Sequence, residues 1–345
     1  MMRVLVTGHQ GYIGVVLVPM LLEAGFDVVG IDSGLFEPCT IGEPPPQVPQ
    51  IIKDVRDVTI DDLEGVDAVC HLAGLSNDPL GFLDADLTKQ INNEASVRLA
   101  GLAKQVGAER FIFSSSCSIY GSSPGGVVDE SSEINPVTPY GWSKIDAEEG
   151  MRRIADDDFS PTYLRNATAY GFSHRLRADL VINNLTGYAI TQGRVYMKSD
   201  GTPWRPLIHI ADISRAFVAV LQAPRETVHD QVFNVGSNDE NYQIRTVAEI
   251  VESVVPDASI ELAESAGPDI RDYRVDCSKI HDMVPSFKME WNVEKGARQV
   301  YEAFKRHELT EETFFGPLSR LTYLKEQMAA GKVGGDLRMT EQVHT

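Results

Sequence analysis

The sequence predicts an α/β fold in which a doubly wound parallel sheet is followed by a smaller, mixed C-terminal lobe. Short β-rich segments alternate with helical ones over the first half of the chain, a pattern typical of βαβ units with helices on both faces of a sheet. A glycine-rich turn joins the first strand to the first helix, and past about residue 172 the alternation loosens. The strand candidates are Arg3–Thr7, Asp27–Ile31, Ala68–Leu72, Arg110–Ser114 and Pro161–Arg165.

The same patterns predict the domain organisation. Residues 1–172 should form the sheet domain, with residues of about 207–240 returning to it, and residues 173–330 should form most of the second lobe. The proline cluster Pro44–Pro46 predicts a surface loop. The Gly-rich, polar segment 331–345 is expected to be a mobile tail. Helical patterns of the second half lie near Asp179–Gln192, Ile210–Gln222 and Thr246–Val255.

The charge balance limits the classes of ligand. The chain has 31 Lys and Arg residues against 50 Asp and Glu residues, for a formal net charge of −19. This balance argues against a protein that binds the nucleic-acid backbone, because such proteins need basic stripes. An anionic ligand must therefore be met by a few locally placed arginines or by backbone amides.

Cysteine and histidine usage predicts neither disulfides nor metal. The four cysteines form no CxxC pair, and the eight histidines show no ligand spacing. The chain opens directly into a strand-like run instead of a signal peptide. No apolar run approaches the roughly 20 residues that span a bilayer. A cytoplasmic protein without membrane association is expected.

The glycine turn predicts a site for a diphosphate. Gly8, Gly11 and Gly14 lie in T-G-H-Q-G-Y-I-G, directly after a strand and at the start of a helix. Glycine lets the backbone approach an anion closely, and the free amides and dipole of a helix N-terminus favour negative charge. The spacing differs from the commoner G-x-G-x-x-G, and glycine turns of this kind also have purely structural uses.

Acidic residues after the next strands extend this prediction. Asp32 ends the second strand eighteen residues after Gly14, where a carboxylate can accept hydrogen bonds from an adenosine ribose. A 2′-phosphate would meet a like charge there, so NAD is favoured over NADP. Asp54 and Val55, after the next apolar run, are candidates to bracket the adenine.

Tyr140 and Lys144 are the candidate catalytic pair. They lie four residues apart in P-Y-G-W-S-K, a segment that reads as helix, so they share one face. A tyrosine with a pKa near 10 is a poor base at neutral pH. An ammonium group one turn away favours the phenolate and gives a proton acceptor closer to operating pH.

The end of an apolar strand supplies candidate hydroxyls. Ser114, Ser115 and Ser116 close the strand R-F-I-F-S-S-S, about 24 residues before Tyr140. A serine here can hydrogen-bond the oxygen that is being oxidised, although serines also cap turns. The combination of glycine turn, serine-ended strand and Tyr-x-x-x-Lys is more specific than any of its parts.

With these segments taken together, the sequence resembles the extended short-chain dehydrogenase/reductase family, in its branch of nucleotide-sugar epimerases and dehydratases. The matching segments occur in family order over roughly residues 3 to 280. They are T-G-H-Q-G-Y-I-G (7–14), H-L-A-G (71–74), I-N-N-E-A-S (91–96), F-S-S-S-C-S-I-Y-G (113–121), Y-G-W-S-K (140–144), N-N-L (183–185) and R-P-L-I-H (205–209).

The resemblance implies a Rossmann-type NAD domain, a catalytic triad and a C-terminal lobe that grips a nucleoside-diphosphate sugar. Ser116, Tyr140 and Lys144 would form the triad. Beside the glycines and acidic residues above, the implied cofactor contacts are Tyr12, Ile13, Leu72, Ala73, Asn92, Ser114 and Lys144. The implied substrate contacts are Ser76, Ser118, Asn183, Asn184, Arg205 and Arg271.

Two departures from the family pattern bear on the reaction. Thr168 stands where family members commonly carry an asparagine, which puts one diphosphate contact in doubt. Dehydratases of this branch carry Thr-Asp-Glu, and decarboxylases Thr-Ser-Glu, where this chain has Ser116, Cys117 and Ser118. No carboxyl group stands there to donate a proton, so the arrangement is closer to that of 4-epimerases.

The favoured function is therefore 4-epimerisation of a nucleotide sugar through a transient 4-keto intermediate. A 4-ketoreductase, a decarboxylase or a dehydratase remains an alternative. For dehydration, Glu130 or Glu133 would be the substitute acid that expels water. A non-catalytic NAD sensor is a remote alternative. The family likeness also implies a homodimer formed by the Tyr140 helix and the segment Glu94–Val106, which is apolar on more than one face.

Overall fold

The structure, a computed structural model, describes residues 1–43, 48–76, 84–267, 269 and 271–340. The predicted proline loop at Pro44–Pro46 lies outside these residues. The strands are β1 (Arg3–Thr7), β2 (Asp27–Asp32), β3 (Gln50–Ile52), β4 (Ala68–His71), β5 (Arg110–Ser116), β6 (Ser122–Val128), β7 (Ser160–Asn166), β8 (Thr168–Tyr170), β9 (Arg194–Ser199), β10 (Trp204–His209), β11 (Gln231–Val235), β12 (Asn241–Gln243), β13 (Ser259–Gly267) and β14 (Asp272–Val275).

Seven strands form one parallel sheet in the order β11-β7-β5-β4-β1-β2-β3. The order reverses beside β1, whose neighbours are β2 and β4. In such sheets ligands bind at the carboxyl ends of the strands near this reversal. This confirms the predicted fold class and places the glycine turn, which follows β1, at the expected edge.

Helices cover both faces of this sheet. Leu99 of α3 and Met151 of α4 are buried in one core, while Leu17 of α1 and Phe217 of α6 are buried in the other. The helices are α1 (Gly14–Glu23), α2 (Ala85–Lys89), α3 (Ala95–Gln105), α4 (Pro139–Arg152), α5 (Val181–Gln192), α6 (Ile210–Gln222), α7 (Arg225–Val228), α8 (Ile244–Val254), α9 (Ser278–Met283), α10 (Val293–Arg306), α11 (Glu311–Phe315) and α12 (Arg320–Ala329).

The smaller lobe is mixed, as predicted. The strands β8, β10 and β12 form a three-stranded sheet, and β9 pairs with β13 and β6 with β14. The lobe has its own apolar core, formed in part by α5, α8 and α10. After β10 the chain returns to the large sheet, because α6 packs on that sheet and β11 forms its edge.

Residues 331–340 differ from the expected mobile tail, because they pack onto the sheet domain. Val333 and Leu337 are buried in the same core as Leu99, and Val333 forms an isolated β-bridge with Met339. Arg338 forms an ion pair with Asp57 at 2.7 Å. Burial of Val333 and Leu337 in this core holds the otherwise polar segment against the sheet domain. Residues 341–345 lie outside the description.

No helix in the described part of the chain combines the length and the apolar character needed to cross a membrane.

Candidate active site

A cavity of about 780 Å³ opens where the carboxyl ends of the central strands face the smaller lobe. It gathers nearly all of the residues singled out from the sequence. The predicted residues that line it are Gly8, Gly11, Tyr12, Ile13, Gly14, Asp32, Asp54, Val55, Leu72, Ala73, Ser76, Ser114, Ser116, Ser118, Tyr140, Lys144, Asn184, Arg205 and Arg271.

The glycine turn is shaped by close backbone contacts. Gly8 has a φ of +72°, and a Cβ there would lie 2.8 Å from the backbone nitrogen of Ala73. A Cβ on Gly14 would lie 2.3 Å from the carbonyl oxygen of Gly8. No side chain caps the N-terminus of α1. The Val15 and Val16 amides bind the Gly11 and Ile13 carbonyls. The N-terminus of α1, where the helix dipole favours an anion, lies at the cavity.

Asp32 sits at the end of β2 with its carboxylate held by the backbone. One carboxylate oxygen accepts from the Gln10 amide at 3.0 Å, and the other accepts from the Gly34 amide at 2.9 Å. Each oxygen of a carboxylate can accept a further bond. The arrangement leaves Asp32 fit to receive ribose hydroxyl groups.

Asp54 is engaged differently. Its carboxylate forms an ion pair with Arg56 at 2.6 Å and accepts from the Arg56 amide at 2.8 Å. Burial alone would raise the pKa of Asp54, but these hydrogen bonds outweigh it and lower the pKa. Asp54 and Val55 both line the cavity, so they stay candidates for the adenine end.

Helix α4 positions the candidate catalytic pair. The Thr138 hydroxyl caps its first turn by accepting from the Gly141 amide at 3.1 Å. The Lys144 Nζ lies 5.7 Å from the centre of the Tyr140 ring and donates to the Ser114 carbonyl at 2.8 Å. Burial lowers the pKa of Lys144 to about 8. The ammonium group is thus fixed beside the phenol by a strand that belongs to the sheet.

Ser116, the last residue of β5, and Ser118, just after it, line the same cavity. The Ser116 hydroxyl oxygen accepts from the Ser118 amide at 3.1 Å, so its proton stays available for donation to a ligand. The buried Ser118 hydroxyl has no hydrogen-bond partner among the described residues. Cys117 points away: it is 1% exposed and donates to the Arg165 carbonyl at 3.0 Å. Burial raises the pKa of this thiol well above its usual value.

A buried ionic network lies behind these serines and was missed from the sequence. Arg165 binds Glu148 through two nitrogens, at 2.7 Å and 3.1 Å, and also donates to the Tyr120 hydroxyl. The Ser115 hydroxyl donates to the same carboxylate. Side chains alternate across a strand, so Ser115 must point away from Ser114 and Ser116, and this alternation was the available signal.

Asn92 supports the site from outside the cavity lining. It lies in a single π-helical turn, Gln90–Glu94, of the kind often found at functional sites. Its side chain accepts from the Leu75 amide at 2.8 Å and donates to the Ser143 hydroxyl at 3.1 Å. Asn92 thereby ties the loop after β4 to the helix that carries Tyr140.

Arg205 and Arg271 converge on one carboxylate. Asp269 lies 2.9 Å from the Arg205 guanidinium and 2.7 Å from that of Arg271. Burial alone would raise the pKa of Asp269, but the hydrogen bond from Arg271 and the charges of both arginines lower it. An incoming diphosphate would compete with Asp269 for the same donors.

Asn183 does not reach the cavity, so its expected role in substrate binding is not supported. It is fully buried, accepts from the Gly171 amide at 3.1 Å and donates to the Tyr12 hydroxyl at 3.2 Å. Neighbouring residues on a helix point about 100° apart, and here Asn183 turns into the core while Asn184 turns to the cavity. Only Asn184 lines the cavity.

Three further arginines near the cavity were missed from the sequence. Arg177 and Arg320 line it, and Arg175 donates to the Gln10 side chain in the glycine turn at 2.9 Å. Arg177 binds Asp179 at 2.6 Å and donates to the Ser76 hydroxyl at 2.7 Å. Arg175 and Arg177 stand close together in R-L-R, a weak signal, while Arg320 lies far along the chain and carries none.

Within the described residues, no group of His, Cys, Asp or Glu side chains is arranged to hold a metal ion.

Residues 4–236 match the NAD dependent epimerase/dehydratase family. The chain is 30% identical over 253 residues to the UDP-glucose 4-epimerase of Mycolicibacterium smegmatis, covering 69% of this chain and 78% of the relative. It is 24% identical over 323 residues to the dTDP-D-glucose 4,6-dehydratase of Mus musculus, covering 88% and 89%. Among solved structures, MoeE5 in complex with UDP-glucuronic acid and NAD matches with a TM-score of 0.75 and 27% identity, covering 88% of this chain and 99% of that one.

These matches confirm the resemblance to the extended short-chain dehydrogenases/reductases and the expectation of NAD. The cavity fits this cofactor, because the glycine turn lets an anion approach the N-terminus of α1 closely, beside Asp32, whose carboxylate accepts from the Gln10 and Gly34 amides. The chain therefore belongs to the NAD dependent epimerase/dehydratase family and is an enzyme that uses NAD.

Proposed function

We propose that this enzyme epimerises a nucleoside-diphosphate sugar at C4 through a transient 4-keto sugar. The observation that carries the proposal is the chemistry after β5. The positions where dehydratases of the branch carry acids hold Cys117, a buried thiol directed away from the cavity, and Ser118, a hydroxyl. Neither can protonate a leaving hydroxyl group.

Tyr140, Lys144 and Ser116 divide the work at the sugar. Tyr140 as phenolate takes the proton of the 4-hydroxyl group and later returns it. The Lys144 ammonium, fixed by the Ser114 carbonyl, favours that phenolate. The Ser116 hydroxyl donates a hydrogen bond to the developing carbonyl oxygen. NAD, when bound, accepts the hydride from C4 and supplies it again.

The smaller lobe is proposed to hold the rest of the substrate. Arg205 and Arg271 would bind the diphosphate, because arginine offers two parallel donors to such a group. Ser76 and Asn184 line the same cavity as candidates for the sugar and ribose hydroxyls. The diphosphate would then replace Asp269 as the partner of the two arginines.

Glu130 and Glu133 are the alternative acids for a dehydration. Glu130 accepts from the Asn234 amide at 2.6 Å, and neither Glu130 nor Glu133 lines the cavity. A 4-ketoreductase or decarboxylase would use the same Tyr140 and Lys144. Dehydration is the second candidate, because the chain is similar over 88% of its length to a dehydratase.

The test is to assay a panel of UDP-, TDP- and GDP-sugars without added cofactor and to analyse the products by mass spectrometry. A 4-epimer of unchanged mass, formed without net NADH, is expected. Loss of water would overturn the proposal in favour of dehydration, and loss of carbon dioxide would show a decarboxylase. No turnover of any sugar, with NAD bound, would support a sensor.

We also propose a homodimer formed by α3 and α4. On α3, the half-buried Val97 and Leu102 pack only partly into the core. On α4, Trp142 has 54% of its surface exposed. An apolar surface of this kind is typical of a contact between subunits. Light scattering should give twice the chain mass, and a monomer mass at micromolar concentration would reject the dimer.

A further inference from the structure

Arg320, the first residue of α12, is a buried cation in the cofactor cavity. It is 5% exposed and its guanidinium stacks 4.7 Å from the centre of the Phe36 ring. It makes one long hydrogen bond, at 3.4 Å to the Arg175 carbonyl, and its Nε has no partner. Within the described part of the chain, it forms no ion pair.

The carboxylates near Arg320 are already engaged. Asp32 accepts from two backbone amides, and Asp179 binds Arg177 through both oxygens. Arg175 in turn is held by the Glu37 carbonyl and other oxygens. The charge of Glu37 acts on Arg175, so Arg175 and Arg177 each have an acidic neighbour. Among the described residues, Arg320 is the member of this group that touches no carboxylate.

A buried guanidinium without a counter-ion is costly, so such a group points to a missing anion. Burial, assisted by the charge of Arg177, lowers the pKa of Arg320 to about 10. The group remains charged at neutral pH. Asp179 and Asp32 act on this charge without touching it, so the position in contact with the guanidinium is left for an anion from outside the chain.

NAD carries its negative charge on the diphosphate that links its two nucleosides. The glycine turn and Asp32, which receive the adenosine half, belong to the same cavity as Arg320, and Asp32 is among the charges that act on Arg320. We propose that Arg320 binds the diphosphate of NAD, so that the C-terminal segment 320–340 completes the cofactor site.

Other contacts of this segment support its part in the cofactor site. Leu337 lines the cavity while it is buried in the core of the sheet domain. Next to it, the ion pair of Arg338 with Asp57 joins the segment to the short helix that follows Asp54. The segment therefore spans the cavity from α12 to the adenine end.

The substrate diphosphate is a less suitable partner for Arg320. Arg205 and Arg271 already converge from the smaller lobe, where Asp269 holds them in place. The charges that act most strongly on Arg320 include Asp32, next to the glycine turn, and Arg177. The inference concerns the cofactor and stands whether or not the sugar reaction is an epimerisation.

The test compares Arg320→Met with Lys325→Gln, which removes a positive charge from an exposed position of the same helix. Calorimetry on protein stripped of NAD should show NAD affinity at least about tenfold weaker in Arg320→Met, the factor that 1.4 kcal/mol gives. The stripped variant should melt no lower than wild type, because an unpaired charge has been removed. Lys325→Gln should match wild type in both measurements.

Fragments of the ligands locate the contact. Arg320→Met should weaken binding of ADP but leave adenosine unchanged, since adenosine lacks the diphosphate. Equal losses for ADP and adenosine would overturn the proposal in favour of a general change in the pocket. Unchanged NAD affinity would overturn it too, with a lower melting temperature pointing to a packing role and weaker UDP binding to the substrate site.

Discussion

Two buried arginines in this enzyme are treated in opposite ways. Arg165, on β7 beside β5, is 4% exposed and has a carboxylate at 2.7 Å and a tyrosine hydroxyl at 3.1 Å. Arg320, at the rim of the cofactor cavity, is equally buried and has one long hydrogen bond to a carbonyl. Burial lowers the pKa of both, but Glu148 reverses that effect only for Arg165.

The difference separates structural charges from ligand-binding charges. A buried ion pair whose hydrogen bonds are all made within the chain fixes the positions of the strand and helix that carry the catalytic groups. A buried charge left without a partner has a cost that binding of a ligand removes. Burial by itself therefore does not indicate a functional arginine, whereas burial without a partner does.

The largest expected effect tests the structural side. Glu148→Ala leaves Arg165 buried and unpaired, so the free energy of unfolding should fall by about 3–5 kcal/mol. Glu149→Ala, at the neighbouring exposed position, should change it by less than about 0.5 kcal/mol. Urea unfolding measures both. Equal effects of the two variants would show that the network does not hold the sheet to α4.

Tyr140→Phe tests the hydroxyl group proposed as the acid–base catalyst. The fold and the bound NAD should remain, while turnover falls by at least about 10²-fold, the scale of a positioned acid–base group. Circular dichroism and the NAD content of the purified variant serve as controls. Turnover near that of wild type would contradict the catalytic assignment of Tyr140.

Lys144 is expected to make the free energy of unfolding depend on pH. Its folded-state pKa of about 8 lies below the unfolded value near 10.5, so between these pH values the unfolded chain binds more protons. Wild type without NAD should therefore gain about 2 kcal/mol over Lys144→Met as pH rises from 8 to 10.5. A constant difference across this window would show that Lys144 is not desolvated.

Asp32→Ala tests the rim of the cofactor cavity. NAD affinity should fall by about tenfold and the preference over NADP should shrink, because the ribose acceptor and its repulsion of a 2′-phosphate are both removed. Asp27→Ala, at the exposed opposite end of β2, is the matched control and should bind both cofactors as wild type does. Unchanged affinities in both variants, measured by calorimetry, would leave Asp32 as a turn residue.

The features that could be predicted from the sequence are those with short, fixed spacing. The glycine turn directly follows a strand, and Tyr140 and Lys144 are one helical turn apart, so local geometry places their side chains. The prediction that Asn183 contacts the substrate is not supported, because the adjacent pair does not indicate in the sequence which of the two side chains faces the cavity. Helix α5 turns Asn183 inward, to Tyr12 and Gly171.

The features that could not be predicted from the sequence depend on contacts between residues far apart in the chain. Arg165 and Glu148 meet because β7 lies beside β5, over which α4 packs, and neither carries a local pattern. Arg320 reaches Phe36 across most of the sequence. In the segment 331–340, Val333 and Leu337 are too few to give a helical or strand-like periodicity in the sequence. Their burial nevertheless determines where the segment packs.

The docking of residues 320–340 has a consequence for the order in which the protein is made. During synthesis the N-terminal parts of a chain emerge and begin to fold first. All seven strands of the large sheet and the glycine turn precede residue 236, whereas Leu337 and Arg320 follow much later. A nascent chain can thus form the Rossmann-type sheet well before its cofactor cavity is closed. Binding of NAD then depends on residues 320–340, so a label or insertion placed near residue 340 is a more serious intervention than one placed near residue 1.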